Sequence, residues 1–133
     1  MKIICDTHIP IFFQDAPNHL STLARQTFEQ GIDDGQLALA DISLWEIAML
    51  FDRGRLNPQA LTTPNEYIAD LITGYGLKIL PITVEIAVIA RGSLFVHGDP
   101  ADRLIAATAI QHKASLLTKD EKLHAIPRLE TLW

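Results

Sequence analysis

One cysteine, Cys5, is all the chain contains, so an internal disulfide and a cysteine-based zinc site are both excluded. No apolar run reaches the ~18 residues of a membrane-spanning helix. Internal repeats, low-complexity segments and linkers are missing, and so is a glycine-rich loop of the kind that cradles phosphate. Positive charge is scarce, since 11 Lys and Arg stand against 16 Asp and Glu, a net charge of -5. Surfaces that bind nucleic acid are usually basic. The balance therefore weighs against such binding, unless acids are gathered in one place to hold metal ions. Asp6 interrupts the N-terminus too early for a signal peptide. A soluble cytosolic protein is the expectation.

What is present is a globular pattern. The 133 residues suggest one domain, and 48% of them are hydrophobic. A chain of this length buries roughly two-thirds of its unfolded surface. Residues 2–5 predict a short buried strand, 36–40 a second, 77–81 a third, 115–118 a fourth and 128–132 a fifth. Helices are predicted over 19–35, 43–53 (ended by Gly54), 64–73 (ended by Gly74), 83–91 (stopped by Gly92) and 100–113. Short apolar strands alternating with helices imply a parallel sheet covered on both faces. Ligands in such folds sit outside the carboxyl ends of the strands, where strand order reverses.

Four acids fall near that edge or near helix starts: Asp6 after the first strand, Glu46 in the first turn of the helix after the second, Asp102 in the first turn of the long apolar helix, and Asp120 past the fourth strand. Asp102 is the awkward member. A strict alternation starts its helix at the opposite edge, so the segment 93–99 must carry the chain back. Each acid also has a structural explanation. Ser43-Leu44-Trp45-Glu46 has the form of a capping box. Asp99-Pro100 reads as an N-cap followed by proline at N1. Asp120 can cap a short helix over 121–124, and Asp6 can be a turn residue. Thr63-Pro64-Asn65-Glu66 shows the same capping pattern with no site attached.

Taken together the acids say more. Asp6 lies between a buried strand and the apolar run 9–13, and Asp102 precedes Leu104-Ile105-Ala106-Ala107. A carboxylate in such surroundings needs a partner, or its pKa rises. Arg103 and Lys119 are neighbours in sequence but are expected to point elsewhere. A divalent ion is the economical partner, and all-oxygen ligands favour Mg²⁺ or Mn²⁺.

Four segments in order resemble the PIN domain family, and within it the VapC-type ribonuclease toxins of toxin–antitoxin systems. They are Cys5-Asp6-Thr7-His8, Ile42-Ser43-Leu44-Trp45-Glu46-Ile47-Ala48, the stretch from His97-Gly98-Asp99-Pro100-Ala101-Asp102-Arg103 through Ala109, and Leu117-Thr118-Lys119-Asp120, with Gly54-Arg55-Leu56 in support. The resemblance covers nearly the whole chain and implies a single PIN domain over 1–133. The implied fold is a three-layer α/β/α arrangement with a parallel sheet of four or five strands. By motif, Asp6, Glu46, Asp102 and Asp120 take the positions of the family's acidic quartet. Asp6, Asp102 and Asp120 would contact Mg²⁺ or Mn²⁺, and Glu46 would orient water or a second ion. Asp99 is an additional acid of the subgroup with a D-P-x-D-R segment, and Thr118 matches a hydroxyl residue found beside the pocket.

The activity the resemblance implies is metal-dependent hydrolysis of phosphodiester bonds in RNA, in the cytoplasm, by a toxin that dimerises and is silenced by a cognate antitoxin. Bare cations at Arg53, Arg55, Arg91, Arg103, Lys119 and Lys122 are candidates for an RNA-contacting rim. His8 and His97 are read as structural or solvated turn residues, and Cys5 as a core residue. The departures from the family pattern are Pro10, Phe13, Leu50 and Ala101, and Pro10 is expected to delay or bend the first helix. Apolar residues of the third and fourth helical segments, Leu44, Ile47, Met49, Leu50, Phe51, Tyr67, Ile68 and Leu71, are expected to leave a groove for an amphipathic antitoxin helix. The alternatives are a catalytically inactive PIN-like binding module, against which the intact quartet argues, and an aspartyl-phosphate enzyme. The latter usually carries a second acid two residues after the first, where this chain has His8.

Overall fold

The structure is a computed structural model that describes residues 2–58, 61–95 and 98–133; His97 lies outside the described residues. Its elements run β1 (Ile3–Cys5), α1 (His8–Asp15), a 3-10 turn (Pro17–His19), α2 (Thr22–Asp34), β2 (Leu37–Ala40), α3 (Ile42–Asp52), α4 (Pro64–Tyr75), β3 (Lys78–Leu80), α5 (Val84–Arg91), α6 (Pro100–His112), β4 (Ser115–Leu117), α7 (Glu121–His124) and β5 (Thr131–Leu132). The five strands form one sheet in the order β3-β2-β1-β4-β5, and every neighbouring pair is parallel.

Period-two alternation sorts the strand residues into two cores. Cys5, Leu37, Leu39 and Leu117 join Phe28, Ile47, Tyr67 and Leu71 on one side of the sheet. Ile4, Ala38, Ala40 and Leu116 join Ile105, Ala106, Ala109 and Ile110 on the other. The alanines of β2 meet those of α6, so this helix lies close to the sheet with almost no polar face. Both faces being covered is why the strands read as unbroken apolar runs.

Local chemistry sets the helix ends. Ser21 accepts from the backbone N–H of Ala24 at 3.0 Å, so α2 starts at Thr22 and not at His19. Thr63 accepts from the N–H of Glu66 and Thr83 from that of Ile86, both at 3.2 Å. The predicted stop of α4 at Gly74 is two residues early. The helix continues to Tyr75, whose ring packs edge-on against Phe13 and Phe28, and the left-handed residue is Gly76 at φ 63°. Nor does Pro10 delay α1. It is the third residue of the helix, where its missing N–H would have had no partner in any case.

The apolar residues of α3 and α4 divide between core and surface, with Leu44 and Met49 half-buried outside the core cluster. Ile47, Tyr67 and Leu71 are buried, and Leu50, Phe51 and Ile68 pack against the same cluster. Trp45 is left exposed on α3. Tyr67 also ties α4 to α1 by donating to Asp15 Oδ2 at 2.6 Å.

Gly31 is required by the close approach of α2 to β2. A Cβ there would overlap the side chain of Leu37, which is fully buried. Gly31→Ala gains about 1 kcal/mol of helix propensity and loses about 1–3 kcal/mol to overpacking. The expected outcome is a lower urea midpoint, partly restored by adding Leu37→Val. A midpoint above that of the parent chain would show that Leu37 yields without cost.

Candidate functional site

The order β3-β2-β1-β4-β5 reverses direction at the β1–β4 pair, and this opens a crevice beyond the carboxyl ends of those strands. Register places the two ends level, because Cys5 pairs with Leu117 and the N–H of Asp6 donates to the carbonyl of Leu117 at 2.9 Å. Asp6 and Thr118 therefore leave neighbouring strands at the same height, with Asp120 two residues further on. An open cavity of about 460 Å³ occupies the space, lined by Asp6, Glu46, Asp99, Asp102, Lys119 and Asp120 among others. Asp102, in the first turn of α6, lies at this edge.

Each acid is held by a different device. Asp6 accepts from the N–H of Thr7 at 2.9 Å through Oδ1 and from the hydroxyl of Thr118 at 2.7 Å through Oδ2. Thr118 is fully buried, and its oxygen also accepts from the N–H of Asp120 at 3.0 Å. Asp120 caps α7, accepting from the N–H of Lys122 at 2.9 Å. Asp99 caps α6, accepting from the N–H of Ala101 at 2.7 Å and more weakly from Asp102 at 3.4 Å. Asp102, one turn in, faces the crevice.

Glu46 departs from the sequence reading. No capping box forms. Asp41 is the N-cap residue of α3, and its Oδ2 accepts instead from the N–H of Ile82 at 3.0 Å. Ser43 is fully buried and its hydroxyl lies 2.9 Å from that of Thr7. Thr7 donates to Glu46 Oε1. A threonine hydroxyl has one proton to give. With that proton on Glu46, Ser43 must be the donor to Thr7. Position and burial explain the change: Asp41, not Ser43, is the N-cap residue of α3, and Ser43 is buried against the hydroxyl of Thr7. Neither Thr7 nor Ser43 was singled out as part of the site, since a hydroxyl next to an acid has no distinctive spacing in sequence.

Of the two cations expected to point elsewhere, Arg103 does so and Lys119 does not. Arg103 turns away from the acids, its Nε donating to the carbonyl of Ala90 at 2.8 Å and its guanidinium lying 5.6 Å from the ring centre of Phe95. Lys119, expected to point elsewhere, lines the crevice. His8 is exposed at the crevice wall beside Phe12. Cys5 is buried, and burial pushes its thiol above the usual range, as befits a core residue rather than a nucleophile.

Glu46, Asp99 and Asp102 each offer a carboxylate oxygen within 4.8 Å of the others, a set that could hold a metal ion. Burial, followed by the charges of Asp6, Asp99, Glu46 and Asp120, pushes Asp102 up from 3.8 to about 7. Glu46 is also raised, by burial first, with the bond from Thr7 opposing it. An all-oxygen donor set carrying carboxylates that resist ionisation fits a hard divalent cation.

The shift has a sign in the stability of the metal-free protein. A carboxyl whose folded pKa exceeds its unfolded value stabilises the fold below the unfolded pKa, and that contribution is lost as pH rises through the folded one. In chelator, the urea midpoint should therefore fall between pH 4 and about pH 7. Asp102→Asn should flatten this slope. A slope unchanged in the variant would mean that Asp102 ionises as freely folded as unfolded.

Comparison with known proteins agrees with this geometry. The sequence profile of the PIN domain matches residues 3–129. The chain is 36% identical to Ribonuclease VapC22 of Mycobacterium tuberculosis over 133 residues, 98% of each chain. Its fold is similar to VapBC2 of Rickettsia felis, solved bound to a promoter DNA fragment, with a TM-score of 0.71 at 21% identity over 99% of this chain and 98% of that one. A toxin–antitoxin complex of Klebsiella pneumoniae gives a TM-score of 0.68 at 22% identity over 99% and 97%. With the profile spanning β1 to β4, the crevice and all five acids, the chain belongs to the PIN domain family.

Proposed function

We propose that this protein is a Mg²⁺- or Mn²⁺-dependent endoribonuclease, the toxin of a cytoplasmic toxin–antitoxin pair. The observation that carries the reading is the convergence of Asp6, Glu46, Asp99, Asp102 and Asp120 on one open crevice at the switch point of the sheet. The identity to a named ribonuclease supports the reaction class, and the fold shared with toxin–antitoxin complexes supports a protein inhibitor. Val84 and Val88, exposed one turn apart on α5, give a homodimer an apolar stripe to bury.

When bound, a divalent ion supplies charge compensation for the acids and for the scissile phosphate. Glu46, Asp99 and Asp102 are the residues whose oxygens lie in range to hold it, with Asp6 and Asp120 on the surrounding wall. Glu46 is steadied through Oε1 by Thr7, which leaves Oε2 to orient a water toward the phosphorus and take its proton. Thr118 fixes the rotamer of Asp6 without adding charge. Lys119, at the wall, meets a phosphate oxygen of the incoming strand.

The test is cleavage of a structured RNA by purified protein in Mg²⁺ or Mn²⁺ against chelator. Asp6→Asn, Glu46→Gln, Asp102→Asn and Asp120→Asn should each remove most activity, because groups that position one reaction act as a unit. Glu66→Gln, on α4, should leave it intact. Asp99→Asn separates two roles. Asparagine caps a helix as well as aspartate does, so stability should hold while the melting-temperature rise caused by metal shrinks. Cleavage by Asp102→Asn equal to that by Glu66→Gln at matched folding would remove Asp102 from the reaction, and no metal-dependent cleavage by the parent chain would reduce the protein to a binding module.

A further inference from the structure

Beside the carboxylate crevice lies a second cavity of about 330 Å³, and the two share a wall, since Asp102 and Asp120 line both. Its other walls are apolar. Leu94 and Phe95 come from the residues just after α5, and Leu123 and Ile126 from α7 and the turn after it. Arg103 and Lys122 add two cations to the lining. Arg103 is fixed there by its bond to Ala90 and by the ring of Phe95.

Size and chemistry narrow the occupant. The volume is at the lower end of small-molecule sites, about 300–1,000 Å³, and a helix about 10–12 Å across does not enter it. A flat apolar group flanked by negative charge that cations can meet is the profile of a nucleotide. Single-stranded RNA presents such groups when its bases are splayed from the stack. Because the shared wall carries two of the acids, the base seated there belongs to a nucleotide next to the bond being cut.

We propose that this cavity seats one nucleobase of the RNA strand, that of a nucleotide flanking the scissile phosphate, and so selects where the chain cuts. The inference rests on the nuclease reading above. The apolar walls read the shape of the base and its stacking rather than its hydrogen-bonding edge. Lys122, exposed at the start of α7, meets the neighbouring phosphate.

The experiment uses the full chain with Mn²⁺ and a short single-stranded RNA that spans a mapped cut. Abasic ribose replaces each nucleotide flanking the cut in turn. One position should lower kcat/KM about tenfold, within the range expected for a lost base-stacking contact. Ala125→Trp fills the cavity from an exposed position. It should lose a similar factor on intact RNA and nothing further on that abasic RNA, while its metal-induced melting shift stays unchanged. Ile126→Ala, which widens the cavity, should weaken the preference among bases at that position. If wild type cuts with no dependence on any flanking base, or if the two losses multiply independently, the base site is wrong and the nuclease reading stands. If wild type cuts no RNA, the nuclease reading fails and the base site with it.

Discussion

A hydroxyl proton shared between Thr118 and Asp6 joins two residues 112 positions apart, and the site depends on it. It exists because β1 lies against β4 in parallel register, with Cys5 opposite Leu117. The next residues, Asp6 and Thr118, still give their amides to Leu117 and Leu132, and their side chains meet across the strand ends. Asp6, Thr118 and Asp120 become one connected group, since the Thr118 oxygen both donates to Asp6 and accepts from the amide of Asp120. Everything else arranged around the crevice takes its position from that edge.

The hydroxyls solve a problem of charge. Five carboxylates at one crevice repel, and lysine or arginine partners would relieve the repulsion by cancelling the field a cation needs. Thr7, Ser43 and Thr118 instead hold Asp6 and Glu46 with neutral donors, all three nearly or wholly buried. Arg103, the next residue after Asp102, is drawn off by the carbonyl of Ala90 and the ring of Phe95. The negative potential survives, and its cost appears in the raised pKa of Asp102. A site that disfavours its own ionisation is poised for a divalent ion rather than for a second protein charge.

The helix starts do double service. Asp99 satisfies two amides at the head of α6 and also brings an oxygen near those of Glu46 and Asp102. Asp120 caps α7 through the amide of Lys122 while lining both cavities. Caps are rigid because their acceptor geometry is fixed by the backbone. Carboxylates used as caps therefore arrive at the crevice already oriented. Thr63 caps α4 without meeting any acid of the site, which shows that capping alone makes no site.

The sequence by itself determined the layers and the candidate acids. Apolar runs of strand length between helical segments are enough to imply a parallel sheet, because only burial on both faces removes the polar positions. The caps at Asp99 and Asp120 were also legible, since a cap bonds to amides two or three residues away. The element ends at His19 and Gly74 were misread where a nearer cap or an aromatic contact overrode the local pattern. What lay beyond the sequence depends on distance across the fold. Only the tertiary structure decided that Ser43 and Thr7 hold Glu46 instead of forming a capping box, that Lys119 faces the acids while Arg103 does not, and that Asp102 reaches the crevice. It also decided that Ile47, Tyr67 and Leu71 of α3 and α4 enter the core while Leu44 and Met49 stay half-buried outside it. In each case a side chain chose between a local partner and one brought near by strand order and helix packing, and spacing along the chain carries no information about the second.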